Sequence, residues 1–374
     1  MEYQHGGDIY SREILWDFSA NINPFGPPQR VKEAVRQSAE CCAAYPDSEC
    51  RRLVQALSVY HGCPKEDILC GNGAADILWL LAAATRPEYA VIPAPTFSEY
   101  EQAFTAAGSR VIHVYCSDKE PFCIHAGPLM EAAMLQECMP DKENGRKPRG
   151  MIVLCNPNNP TGLVMEREEV VCLAEFAERR NIILLLDECF MDFLDCPNGY
   201  SMLSQRRRFP HLVILKAFTK LYGMAGLRLG YCLTGNHTLL EQIRRQRQPW
   251  SVSTPAQMAG LAALSESGYV ERTRKSIARG REQLFRGLKD LGFQVWPGRA
   301  NYLFFRDMHA EAENQKLYRF CLEKKLLLRS CGNYYGLDGS YYRVCVKTKE
   351  ENEHLLDMLK EYLPVSGGAG DAVG

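Results

Sequence analysis

The sequence predicts an α/β protein: a large domain with a mainly parallel sheet flanked by helices, plus a smaller α+β domain. Two observations carry this. Short apolar runs at Ala90–Ile92, Met151–Cys155, Ile182–Leu186 and Leu212–Leu215 are continuous rather than alternating. Strands read that way when helices cover both faces of their sheet. Between the runs lie helical patterns such as Glu166–Arg180, which gathers Leu173, Phe176 and Ala177 on one face. Strand and helix in alternation imply parallel pairing through crossover connections.

The remaining elements follow in order. Ile77–Ala84 reads as a helix, and a long charged amphipathic helix runs from Glu266 to about Leu291. After it, Phe293–Trp296, Tyr302–Phe305, Leu326–Arg329 and Tyr342–Val346 read as strands of the smaller domain. The expected organisation is an N-terminal arm and part of the small domain over residues 1–40, a large domain over 41–265, a C-terminal small domain over 266–364, and a Gly-rich disordered tail over 365–374.

Composition narrows the function. With 46% hydrophobic and 24% charged residues in 374, the chain can bury a sizeable core. A formal net charge of −1 offers no global attraction to nucleic acid or to an anionic membrane. No apolar run approaches the roughly 18 residues of a spanning helix. The first residues, MEYQHGGDIYSRE, carry no signal-peptide pattern. A cytoplasmic enzyme is the expectation. The 16 cysteines are scattered without a Cys-x-x-Cys pair, so no metal site is expected.

Polar residues placed just after the apolar runs carry the chemistry, because ligands in open α/β sheets sit beyond the carboxyl ends of the strands. Lys220 follows the run Leu212–Leu215. Desolvation at such a place lowers a lysine's pKa and suits it to Schiff-base chemistry. Arg228, eight residues on across a Gly-rich loop, adds a cation for a phosphate monoester. Asp187 ends another run, where a buried acid needs a partner such as a pyridinium nitrogen. Gly73-Ala74-Ala75 leads into a helix whose first N–H groups can hold phosphate. In Asn156-Pro157-Asn158-Asn159-Pro160-Thr161-Gly162 the prolines fix the backbone while Asn159 can offer its amide to a ring oxygen. Taken singly, each has a structural explanation: a strand-end lysine, a paired acid, a strand–helix turn.

Taken together, Gly-Asn-Gly-Ala, Asn-Pro-Asn-Asn-Pro-Thr-Gly, Asp-Glu, Thr-Lys and Gly-Leu-Arg-Leu-Gly resemble the fold-type I pyridoxal 5′-phosphate (PLP) enzymes of the aminotransferase class I/II superfamily. The resemblance covers about residues 5 to 362. It implies Lys220 as the Schiff-base lysine and Asp187 as partner of the pyridine nitrogen. It assigns Asn159 to the ring O3′, Phe97 to stacking on the ring, and Gly73, Ala74, Ala75, Thr219 and Arg228 to the phosphate. Tyr45 would reach the phosphate of a neighbouring subunit's cofactor, which implies a homodimer with shared sites. Two departures stand out. Ala217 occupies a place where many relatives have a phosphate-binding Ser, and Phe190 one where many have a Tyr that donates to O3′.

Within the superfamily, His5-Gly6-Gly7 and Phe18-Ser19-Ala20-Asn21-Ile22-Asn23-Pro24 look like the L-threonine O-3-phosphate decarboxylases of cobalamin biosynthesis. Phe190 is also common there. That resemblance implies release of CO₂ from a phosphorylated amino acid, giving (R)-1-amino-2-propanol O-2-phosphate. Arg343 can grip a carboxylate in bidentate fashion, and Arg329 can serve carboxylate or phosphate. His5, Asn23, Asn159 and Asn333 are further candidates for the substrate. Three alternatives stay open on sequence: a histidinol-phosphate aminotransferase, a decarboxylase of L-serine O-phosphate, and a non-catalytic PLP-binding protein.

Overall fold

The computed structural model describes residues 5–115, 122–138, 149–309 and 315–363. Its strands, in chain order, are β1 (Trp16–Asp17), β2 (Ile68–Gly71), β3 (Tyr89–Ala94), β4 (Arg110–Tyr115), β5 (Gly150–Cys155), β6 (Ile183–Asp187), β7 (Leu212–Ala217), β8 (Gly230–Leu233), β9 (Gln294–Val295), β10 (Tyr302–Arg306), β11 (Leu326–Leu327), β12 (Arg329–Ser330) and β13 (Tyr341–Cys345).

Strands β2 to β8 form one seven-stranded sheet in the order β2-β8-β7-β6-β5-β3-β4. β8 alone runs against its neighbours. Side-chain alternation sends each central strand to two cores. Met151, Val153, Leu185, Val213 and Leu215 meet the helices Ala74–Thr85, Glu99–Ala106 and His237–Gln246 on one face. Ile152, Leu154, Leu184, Leu186 and Ile214 meet the helices Ala126–Glu137 and Arg167–Arg180 on the other. Burial on both faces explains the unbroken apolar runs. Register then fixes the site: Cys155 pairs with Asp187, and Asp187 with Leu215, so the ends of β5, β6 and β7 lie side by side.

A second, antiparallel sheet has the order β12-β13-β10-β9. The long helix Ser267–Asp290 and the helix Lys349–Tyr362 pack with it around a third core. β1 pairs in parallel with β11, which ties the N-terminal segment to this second unit. The run Leu326–Arg329, expected as one strand, divides at Leu328 between two sheets. The tail beyond Leu363 lies outside the described residues. Among the described residues no helix is long and apolar enough to cross a membrane, and no three His, Cys, Asp or Glu side chains gather as if for a metal ion. The fifteen described cysteines are free thiols.

Candidate active site

A cavity of about 320 Å³ opens where the carboxyl ends of β5, β6 and β7 meet the second unit. Lys220 stands at its floor, in the short helix Phe218–Leu221 directly after β7. Burial, reinforced by the nearby Arg343 cation, lowers the Lys220 ammonium below its usual range. That favours the neutral, nucleophilic amine.

Asp187 is buried opposite. Tyr100 donates its hydroxyl to Oδ2 at 2.6 Å, and the Cys189 N–H donates to Oδ1 at 2.8 Å. Burial, with Asp187 adding to it, raises the Tyr100 phenol well above its ordinary value, so it stays a donor. Burial likewise keeps Cys155 and Cys189 protonated.

The phosphate end of the cavity is a close backbone fit. Gly73 precedes the helix Ala74–Thr85 with φ +91°, and a Cβ there would sit 2.8 Å from Arg228 Nη2. A Cβ on Gly230 would lie 2.3 Å from the Ala74 nitrogen. Both glycines let the loops close on the helix N-terminus, whose N–H groups and dipole favour an anion. Ala75 and Thr219 also line the cavity. Ala217 also faces the cavity, and contributes no hydroxyl.

Asn159 accepts a hydrogen bond at Oδ1 from Arg343, so its amide N–H₂ is what it has left to offer an incoming oxygen. Asn158, fully buried, holds that loop in place through Thr96, Pro95 and Thr161. Phe97 and Phe190 supply apolar walls. Phe190 packs edge-on against Tyr302 at 5.0 Å.

At the far end Arg343 donates to the Ser19 carbonyl at 2.6 Å, lies over the Tyr302 ring, and keeps a buried Nε without a partner. Arg329 lies over the Tyr334 ring, and its Nη2 donates to Asn333 Oδ1 at 2.9 Å. His5 completes the mouth, 3.0 Å from Glu99. It is held there by the strap around Gly6 and Gly7. The Gly7 N–H donates to Ser19 Oγ at 2.7 Å, and a Cβ on Gly6 would strike the Ser19 carbonyl at 2.5 Å.

Three expected site residues lie elsewhere. Asn23 is a correction: it lies outside the cavity, with its amide spent on the Leu221 carbonyl, the Tyr269 hydroxyl and Thr273 Oγ1. Its backbone N–H bonds the Lys220 carbonyl, so it braces the lysine loop. Asn333 does not line the cavity either; it stands behind Arg329. Tyr45 is 78% exposed and stacked on Trp250, away from its own chain's cavity. Sequence reasoning missed Tyr100, Tyr302 and Ser19. Tyr100 carried a signal, since it falls three residues after Phe97, in the first turn of the helix Glu99–Ala106.

These residues suit PLP. A helix N-terminus with Arg228 fits a phosphate dianion, Asp187 a protonated ring nitrogen, Asn159 a phenolic oxygen, and the lowered Lys220 an aldehyde.

The chain belongs to the aminotransferase class I and II family, which matches residues 13–359. Among particular relatives, it is 36% identical over 368 residues to the threonine-phosphate decarboxylase of Salmonella typhimurium, covering 96% of each chain. The histidinol-phosphate aminotransferase of Clostridium acetobutylicum superposes with a TM-score of 0.83 at 28% identity, over 93% of this chain and 98% of that one. The histidinol-phosphate aminotransferase of Sinorhizobium meliloti, solved in complex with pyridoxal 5′-phosphate, shares the fold with a TM-score of 0.81 at 23% identity, over 94% and 92%.

Proposed function

We propose that the protein is a PLP-dependent decarboxylase of L-threonine O-3-phosphate that supplies a phosphorylated amino alcohol for cobamide assembly. The observation that carries this reading is the strap. His5 and Gly6 form a wall of the cavity beside Arg329, and His5 adds a third group for anions to the two arginines. A substrate with a carboxylate and a phosphate needs that many. The long match to a threonine-phosphate decarboxylase supports the same choice.

Lys220, Asp187, Asn159, Phe97, Thr219, Arg228, Gly73 and the N–H groups of Ala74 and Ala75 would hold the cofactor. When bound, PLP supplies an electron sink for the charge left on the substrate α-carbon. Arg343 holds the substrate carboxylate, and Arg329 with His5 holds the phosphate. Gripped at both ends, the substrate presents its Cα–carboxylate bond for cleavage rather than Cα–H. Phe97 and Phe190 keep water from the reacting carbon. Lys220, its ammonium disfavoured by desolvation, would accept a proton on substrate entry and return one to Cα after CO₂ departs. Asp187, held by the Tyr100 hydroxyl, would pair with the ring nitrogen.

Two copies with shared sites complete the proposal. Tyr45, Val59, Tyr60 and Trp250 are large side chains left 46–78% exposed on one chain. A partner would cover them and bring its Tyr45 to the phosphate. Product analysis tests the function. The purified protein with L-threonine phosphate should release CO₂ and a phosphorylated amino alcohol with no keto acid present. Glutamate formed from 2-oxoglutarate and histidinol phosphate, without CO₂, would make it an aminotransferase instead. Faster turnover of L-serine phosphate would change the substrate only.

A further inference from the structure

The segment 333–336 links a substrate arginine to the edge of the seven-stranded sheet. Asn333 holds the Arg329 guanidinium, and Tyr334 lies beneath it. The next residue, Tyr335, crosses to the other unit. Its hydroxyl donates to Glu101 Oε1 at 3.2 Å, in the helix Glu99–Ala106. Its ring stacks on His113 of β4, with centroids 3.8 Å apart and planes 24° from parallel. His113 Nε2 lies 3.6 Å from the same Glu101 oxygen. Gly336 follows with φ +78°, and a Cβ there would be 3.1 Å from the Tyr115 ring, so the chain lies flat against β4.

We propose that Glu101, His113 and Tyr335 are positioning residues that set the reach of Arg329 and thereby the affinity for the substrate's anionic group. The inference rests on the reading above that Arg329 binds substrate. None of the three lines the main cavity. Each acts through Asn333 and Tyr334. The helix that carries Glu101 also carries Glu99, which meets His5, and Tyr100, which meets Asp187. One turn of helix thus fixes the strap, the cofactor acid and the arginine loop in a common frame. Both substrate-binding pieces hang from it, while the cofactor floor stands on β5 to β7.

Two variants of the PLP-loaded protein separate the contacts. Tyr335→Phe keeps the stack and loses the hydrogen bond, whereas Tyr335→Ala loses both. KM is measured for threonine phosphate, or for whichever phosphorylated amine the wild type turns over. It should rise about ten-fold in Tyr335→Ala and by about three-fold in Tyr335→Phe. In both, kcat should stay within about two-fold and the visible cofactor absorbance should be unchanged. Amide hydrogen exchange over 331–337 should quicken, while that over 218–221 should not. Unchanged exchange over 331–337 overturns the inference whatever the substrate. So does quickened exchange with an unchanged KM, or a kcat that falls together with cofactor absorbance. Failure of the decarboxylase reading shows separately, in the wild type's own products.

Discussion

Gly73 and Gly230 face each other across the phosphate end of the cavity, and neither leaves room for a methyl group. Gly73→Ala forces an L-residue into a left-handed conformation and its Cβ into Arg228. Retention of PLP on dialysis should weaken by about five-fold or more, since such strain costs on the order of 1–3 kcal/mol. Lys220→Ala should leave no cofactor fixed to the peptide by borohydride; a labelled peptide in that variant would refute Lys220 as the attachment point. Asn23 shows where residue-level reading from sequence stops. An asparagine amide serves a phosphate or neighbouring protein acceptors equally well, and only its surroundings decide. Asn23→Ala should lower stability by roughly 2 kcal/mol in urea unfolding, because buried acceptors lose their donor. Any drop in turnover should come through the loosened Lys220 loop, and KM for the phosphorylated substrate should hold. Asp187, Lys220 and Arg228 were legible because their spacing after apolar runs is set by the sheet. The Tyr100 contact was not, because it depends on how one helix turn faces another strand.

Among the elements, the continuous runs were the legible ones: β3, β5, β6 and β7 are buried on both faces. β4 escaped notice because it is an edge strand, half-exposed along its length and carrying Arg110 and His113. β2 and β8 are four residues each, and their pairing runs between segments some 160 residues apart. β1 has two residues, and only its partner β11 defines it. The helix Arg51–His61 carries an element-level prediction. Its His61 accepts or donates at 2.8 Å to the Tyr231 hydroxyl. Burial, helped by the Lys216 cation, lowers His61 from 6.5 to about 4. The unfolded chain therefore takes up a proton near pH 6.5 that the folded chain refuses until about pH 4. His61's contribution to stability is present above pH 6.5 and is lost as pH falls toward 4. His61→Gln should flatten the fall in urea midpoint between pH 7.5 and 5.0; an undiminished slope would place the proton uptake elsewhere.

For the molecule as a whole, the proposed pair of chains should sediment at twice the 42.3 kDa of one. Val59→Asp, which puts a charge on the helix beside Tyr60, should shift the protein toward single chains and lower turnover with it. A wild type that sediments as one chain at micromolar concentration would remove Tyr45 from the site. The cavity itself divides by chain distance. Its cofactor half is built from residues 73 to 230, within the seven-stranded sheet and its helices. Its substrate half closes only when Arg343 reaches the Ser19 carbonyl, a contact across 324 residues. Closing so long a loop comes late in folding, after nearer contacts have made it worthwhile. During refolding with PLP present, the bound cofactor's colour should therefore return before turnover does. For a time the protein would hold its coenzyme with no grip on an amino acid, a state in which the bound cofactor stands open to any small amine in solution.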